Sequence, residues 1–326
     1  MTAISGRSAG DERRASAILR DPDWAMVEQS LRSAAIPALH TRSVEEARAM
    51  ADAGVSTALP SSVSSTDFRL ETADGAVPIR VYRPTGDATR PAILYFHSGG
   101  WVVGSIATSE SLAIELAVQA RAVVASVDYR LAPEHPFPAA VDDAYEAAIW
   151  LAANSEHIGA VRGPIAVCGD SSGGNLATVT ALKARDQQGP AIGCQALIYP
   201  VTDHDFTRRS HREAPTIGGL LSSADMAWFW DKYLPDRDQR DDPLASPLRA
   251  PSLAGLPPAL VVTAELDPLS DEGEAYATAL AREGVPTSHL RCHGLGHGFV
   301  RMPAVHRSTS VIAMVGSFIR SSLVND

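Results

Sequence analysis

The chain has 326 residues, 45% hydrophobic and 20% charged, with a formal net charge of −10. This is the composition of an ordinary globular protein, longer than one average domain. The acidic balance, with no basic patch, argues against nucleic acid and against an anionic membrane surface as partners.

Residues 1–23 carry Arg7, Asp11, Glu12, Arg13 and Arg14 without the apolar centre of a signal peptide. No later stretch reaches the ~18 consecutive apolar residues of a membrane span, so a cytoplasmic location is expected. Residues 1–60 mix polar and apolar positions at helical spacing. Within them Ser43-Val44-Glu45-Glu46 forms a capping box that opens a helix, after Ile36-Pro37 has ended an earlier one. From Asp67 the pattern changes. Residues 68–72 and 77–82 alternate around Asp74-Gly75, which predicts a hairpin. Apolar runs at 92–96, 122–127, 165–168, 195–199, 259–263 and 287–291 then alternate with helix-length segments. That rhythm predicts a mostly parallel sheet covered on both faces. Residues 203–248 interrupt it with charges, a predicted helix over Ser223–Tyr233 and the aromatic cluster Trp228-Phe229-Trp230. Helical spacing turns Trp228 and Trp230 to different faces.

The segments that carry chemistry fall just after these strands. Gly169-Asp170-Ser171-Ser172-Gly173 follows the run 165–168 and precedes a helix expected from Asn175. A serine between glycines at a strand-to-helix turn is the nucleophile elbow of α/β-hydrolases. Upstream, His97-Ser98-Gly99-Gly100-Trp101 follows the first central strand. Small residues there let backbone N–H groups approach an oxygen that becomes negative, so Gly99, Gly100 and Ser172 are the expected oxyanion donors. Asp267 lies at the end of the run 259–263, and His297 sits between Gly296 and Gly298 after the last strand. The order Ser171, Asp267, His297 is that of α/β-hydrolases among serine hydrolase folds. His297 is preferred to His293 as the base, because its flanking glycines allow a loop that reaches the serine. Asp271 and Glu272 fit better as first-turn acids of a helix beginning near Ser270. Trp101 and Trp228 are candidates for the substrate pocket, with core packing as the alternative for each.

No Cys/His spacing suggests zinc, and no glycine pattern suggests a dinucleotide or phosphate loop, so neither metal nor cofactor is expected. Cys168, Cys194 and Cys292 read as small buried hydrophobes in a reducing compartment.

Taken together, the elbow, Asp128-Tyr129-Arg130-Leu131-Ala132-Pro133-Glu134-His135-Pro136-Phe137-Pro138, Asp267-Pro268-Leu269 with Asp271-Glu272, and His297-Gly298-Phe299 resemble the hormone-sensitive-lipase family of α/β-hydrolases, the bacterial carboxylesterases. The resemblance implies a mostly parallel twisted sheet flanked by helices, with a helical cap. Residues 1–60 would form the N-terminal part of that cap, and 61–326 the catalytic domain with 203–248 inserted as further cap. It implies Ser171 as nucleophile, His297 as base and Asp267 as orienting acid, acting on short- to medium-chain esters, and a homodimer through the edge strand near 287–291. Two residues depart from the family pattern. Ser98 stands where the first loop glycine is usual, and Ser172 where an alanine follows the nucleophile. An amidase, formamidase or transacylase would use the same groups. A non-catalytic ligand-binding protein on this fold is a further alternative, against which the presence of His297 counts.

Overall fold

A computed structural model describes residues 19–53, 59–86, 90–214 and 219–323 of the chain. The expectations placed on residues 1–18 and 54–58 lie outside the described residues. Among the described residues eight strands form one sheet: β1 (Val63–Thr72), β2 (Gly75–Pro84), β3 (Ala92–Phe96), β4 (Val123–Val127), β5 (Ile165–Asp170), β6 (Ile192–Ile198), β7 (Ala259–Leu266) and β8 (Thr287–Gly296). Their spatial order is β1-β2-β4-β3-β5-β6-β7-β8. The β1–β2 hairpin is antiparallel and meets β4 antiparallel, while the remaining pairs are all parallel. This is the α/β-hydrolase fold.

Every residue of β3, β4 and β5 is buried, so these strands read as continuous apolar runs. Alternate residues go to opposite faces. Leu94 and Phe96 join one core with α4 (Ala139–Asn154), α5 (Ser172–Asp186) and α8 (Ser270–Arg282). Ile93 and Tyr95 join the other with α3 (Ile106–Ala120) and α9 (Arg307–Leu323).

Before the sheet come α1 (Pro22–Ala34) and α2 (Val44–Asp52), the latter opened by the Ser43–Glu46 capping box. α1 packs on the edge strand β8. Trp24 is 1% exposed in the second core, and the Asp21 N–H donates to the Gly294 carbonyl at 3.1 Å. Between β6 and β7 lie α6 (Arg209–Glu213) and α7 (Ser223–Tyr233). The chain enters and leaves this region at one place. Buried Asp203 accepts from Arg208 at 2.5 Å and from Arg249 at 2.6 Å, and the Leu248 N–H donates to the Thr202 carbonyl.

Two elements differ from the expectation in extent. α5 begins at Ser172, before the expected Asn175, and β8 runs on to Gly296, so His293 lies on a strand. Gly173 and Gly174 are poor helix formers in isolation, but close approach demands them. A Cβ on Gly173 would lie 2.0 Å from the Phe96 carbonyl oxygen, and one on Gly169 would lie 2.2 Å from that of Gly173.

Candidate active site

Ser171 sits at the tip of the turn between β5 and α5 with φ 59° and ψ −120°. Such a conformation costs a non-glycine residue about 1–3 kcal/mol and persists only where neighbours hold it. Here they do: the Ser171 N–H donates to the Ile198 carbonyl at 2.9 Å, and its carbonyl accepts from Val201 at 3.2 Å and Asn175 at 3.1 Å. The Asn175 side chain donates to the carbonyls of Val201 and Ala245, tying the start of α5 to the chain just after β6 and to the segment ahead of β7.

His297, in the turn after β8, has Nε2 2.9 Å from Ser171 Oγ and Nδ1 2.7 Å from Asp267 Oδ2. An ionised carboxylate only accepts, so Nδ1–H donates to Asp267 and Nε2 faces the serine hydroxyl as acceptor. Asp267 is 1% exposed, and its second oxygen accepts from the Leu269 N–H at 2.9 Å, which fixes its plane. Gly298 has φ 82°, and a Cβ on Gly296 would lie 2.2 Å from the Trp24 indole, so both neighbours of His297 are held to glycine.

The other acids and histidines of this region are engaged elsewhere. His293 is exposed on β8 with Nδ1 3.2 Å from Glu265. Asp271 accepts from the Ser210 N–H, and buried Glu272 accepts from the N–H groups of Thr202 and Asp203, so both tie down the chain after β6. Buried Asp170 accepts from Tyr95 at 2.7 Å and Tyr199 at 3.4 Å. Burial, reinforced by the Asp170 charge, raises both phenols well above their ordinary range and keeps them as donors.

The loop after β3 turns through Gly99 (φ 127°), Gly100 (φ 57°) and Trp101 (φ 61°). Neither glycine has room for a side chain: a Cβ would lie 1.9 Å from the Val103 carbonyl at Gly99 and 2.2 Å from the Phe229 ring at Gly100. Ser98 is outside the positive-φ region, so a serine there is unstrained. His97 braces the loop from below. Its Nδ1–H donates to the Ser98 carbonyl at 2.8 Å, and its ring stacks on Tyr129 at 4.2 Å. Burial lowers its pKa and favours the neutral ring. Ser172 is the first residue of α5, where backbone N–H groups have no intrahelical acceptor.

Ser171, His297, Gly99 and Gly100 line one cavity of about 560 Å³. Leu39 and Met50 from the N-terminal region and Leu220, Leu221 and Phe229 from the region between β6 and β7 supply apolar wall. Neither Trp101 nor Trp228 lines it, contrary to the expectation for both. Trp101 is wholly buried, stacked on Tyr233 at 4.0 Å and edge-on to Trp230. On α7 each residue advances about 100°, so Phe229 meets Gly100 while Trp228 turns out beneath Lys232, whose Nζ lies 4.2 Å from its ring. Phe229 supplies the ring that the aromatic cluster offers the cavity, whereas Leu39, Met50 and Arg301 went unmarked in the sequence because nothing local distinguishes a wall residue from a core one. All three cysteines are buried and free. Among the described residues no cluster of acids, histidines and cysteines could hold a metal, and no helix is long and apolar enough to cross a membrane.

A family model described as the alpha/beta hydrolase fold matches residues 93–301. The chain is 43% identical over 246 residues to the carboxylic ester hydrolase LipN of Mycobacterium tuberculosis, covering 74% of this chain and 65% of that relative's length. It is 37% identical over 254 residues to an arylesterase of Saccharolobus solfataricus, covering 78% and 82%. Among solved structures it is similar to a thermostable esterase from Pseudomonas putida, with a TM-score of 0.88, 34% identity and coverage of 94% and 98%. It is likewise similar to a hyperthermophilic esterase from Pyrobaculum calidifontis, with a TM-score of 0.83, 37% identity and coverage of 93% and 98%.

Proposed function

Since the chain belongs to the hormone-sensitive-lipase type of the α/β-hydrolase family, we propose that it is a serine carboxylesterase with Ser171 as its nucleophile. The observation that carries this reading is the unbroken chain of short contacts from Asp267 through His297 to Ser171 Oγ at the wall of an apolar-sided cavity.

In this reading Ser171 Oγ attacks the ester carbonyl as His297 Nε2 takes its proton. The negative oxygen of the tetrahedral intermediate is held by the N–H groups of Gly99, Gly100 and Ser172. His297 returns the proton to the departing alcohol, leaving an acyl-serine. Water, deprotonated by the same nitrogen, attacks that ester, and His297 passes the proton to Ser171 Oγ as the acyl–oxygen bond breaks and the acid leaves. Asp267 holds the imidazole in the tautomer that accepts from serine and stabilises the ring when charged. Leu39 and Met50 on one side, with Leu220, Leu221 and Phe229 on another, support a cap made from the N-terminal region and residues 203–248. A cavity of this volume supports short- to medium-chain acyl groups.

Hydrolysis of p-nitrophenyl acetate, butyrate, octanoate and palmitate by wild type and Ser171→Ala tests the proposal. Turnover that is greatest on the shorter chains and lost in the variant is expected. Absence of Ser171-dependent turnover on every chain length would overturn it.

A further inference from the structure

Arg301 lies four residues after His297, and its side chain lines the same cavity as Ser171. One Nη donates to Ser98 Oγ and the other to the Thr108 carbonyl at 2.7 Å. Both acceptors are neutral. No carboxylate among the described residues lies within 4.0 Å of it, although most arginines of the described chain have one, Arg48, Arg80, Arg130, Arg208, Arg240 and Arg249 among them. Guanidinium has five N–H donors, so three remain without a protein acceptor among the described residues, on a residue that is exposed.

The carboxylates that line the cavity are already engaged. Asp225 accepts from His40 Nδ1 at 2.7 Å and from Ser222, Glu115 accepts from Gln119, and Asp170 faces two tyrosine hydroxyls. Although its side chain reaches solvent, the protein atoms enclosing the cavity are the largest influence on Arg301 and work against its charge; Asp170 together with Tyr95, Tyr199 and Tyr129 outweighs them, so the group stays cationic. Ser98, Thr108, Ser109 and Ser111 also line the cavity, beside apolar Leu112, Val300, Met302 and Ile312, and add hydroxyls that the leucines and Phe229 lack.

From this placement we infer that Arg301 anchors a carboxylate-binding subsite, and that the preferred esters carry a free carboxylate a short chain away from the scissile carbonyl. The inference rests on the esterase reading and adds the substrate class. A planar guanidinium with open donors at a cavity wall takes a carboxylate with two parallel hydrogen bonds, which an apolar-only pocket cannot offer. Because the same side chain holds Ser98, next to Gly99, a bound carboxylate would lie near the reacting carbonyl. Hemi-esters of short dicarboxylic acids present that group on the acyl side, and acylated hydroxy acids present it on the alcohol side.

Two substrate pairs test this: mono-4-nitrophenyl glutarate against 4-nitrophenyl pentanoate, and acetoxyacetate against ethyl acetate. The quantity read is the ratio of kcat/KM for the anionic ester to that for the neutral one. Comparing this ratio between variants cancels differences in leaving group. In Arg301→Gln the ratio should fall ~10- to 100-fold in one pair, the usual effect of losing hydrogen bonds to a charged group, with the change mainly in KM. Arg301→Lys should restore most of it. The pair that responds assigns the subsite to the acyl or the alcohol side. An unchanged ratio in both pairs, with Arg301→Gln and Ser98→Gly slowing neutral and anionic esters equally, overturns the proposal and leaves Arg301 as a strap on the loop. Should wild type turn over neither neutral ester, calorimetric titration of Ser171→Ala with monomethyl glutarate reads the subsite alone. Binding that Arg301→Gln abolishes upholds it, and no binding ends it.

Discussion

The contacts of Ser171, His297 and Asp267 make a specific demand on single-residue variants. If the three act as a unit, Ser171→Ala and His297→Ala should each lower kcat by about 10⁴–10⁶, and the double variant should lose no more. Asp267→Asn removes an acceptor and imposes the wrong tautomer, which should cost about 10³–10⁴ in kcat with the melting temperature close to wild type. His293→Ala, which changes an exposed side chain on β8, should stay within about threefold of wild type. Steady-state kinetics on p-nitrophenyl butyrate check all four. A dead His293→Ala beside an active His297→Ala would reassign the base. These residues could be picked from the sequence because each lies just past an apolar strand, where a parallel sheet presents its ligands. The cavity wall could not. Leu39, Phe229 and Arg301 come from three distant segments, and only the folded chain puts them together.

At the scale of elements, the elbow depends on backbone contact. The β5–α5 turn brings Gly173 so near Phe96 that any side chain must displace the β3 backbone. Gly173→Ala should therefore destabilise the protein by more than about 3 kcal/mol, read as a fall in the chemical-denaturation midpoint. The N-terminal region is fastened differently. On α2, Arg48 bonds Glu134 with both Nη atoms, at 2.7 and 2.6 Å, and donates from Nε to the Val102 carbonyl of the glycine loop. The Arg48 hydrogen bonds lower the Glu134 pKa from 4.5 to about 2. A carboxylate depressed in the folded state stabilises it fully above its unfolded value, and that stability is lost as pH falls through the folded one. The pair is half-exposed, so its worth is below about 1 kcal/mol. Glu134→Gln should thus melt slightly below wild type at pH 6–7, and the gap should close between pH 4.5 and pH 2. Element types were legible wherever periodicity was strong: the hairpin, the central strands and the helix Ser223–Tyr233. They were less so where tertiary contact overrides composition. His293 and the glycines at 294 and 296 disguise the length of β8, which its ladder to β7 sustains, and Gly173-Gly174 disguise the start of α5.

On the scale of the whole molecule, the second core is closed by helices from both ends of the described chain. α9 packs against α3 and β6 on one face of the sheet, and α1 lies on β8. Trp24, 1% exposed, donates from its indole to Glu28 at 3.1 Å, while Glu28 also pairs with Arg20 at 2.8 Å. Trp24→Ala leaves a void beside Gly296 and should cost about 3–5 kcal/mol. Because Gly296 precedes His297, kcat should fall with it, and denaturant titration together with kinetics at low temperature separates the two effects. A loss of stability with unchanged kcat would show that the α1 contact is structural only.

The contact between Trp24 and Gly296 joins the first described helix to the end of the last strand, and this sets a timetable for synthesis. At ~5–20 residues per second, roughly a quarter of a minute to a minute separates the making of the indole from the making of the glycine it covers. Over the second part of that interval, about 6–25 s at the same rate, residues 97–101 and 169–173 have been made while His297 has not. If Ser171 and His297 act as proposed, a nascent chain, or one broken off before β8, carries a nucleophile with no base, and reactivity begins only when the last strand docks.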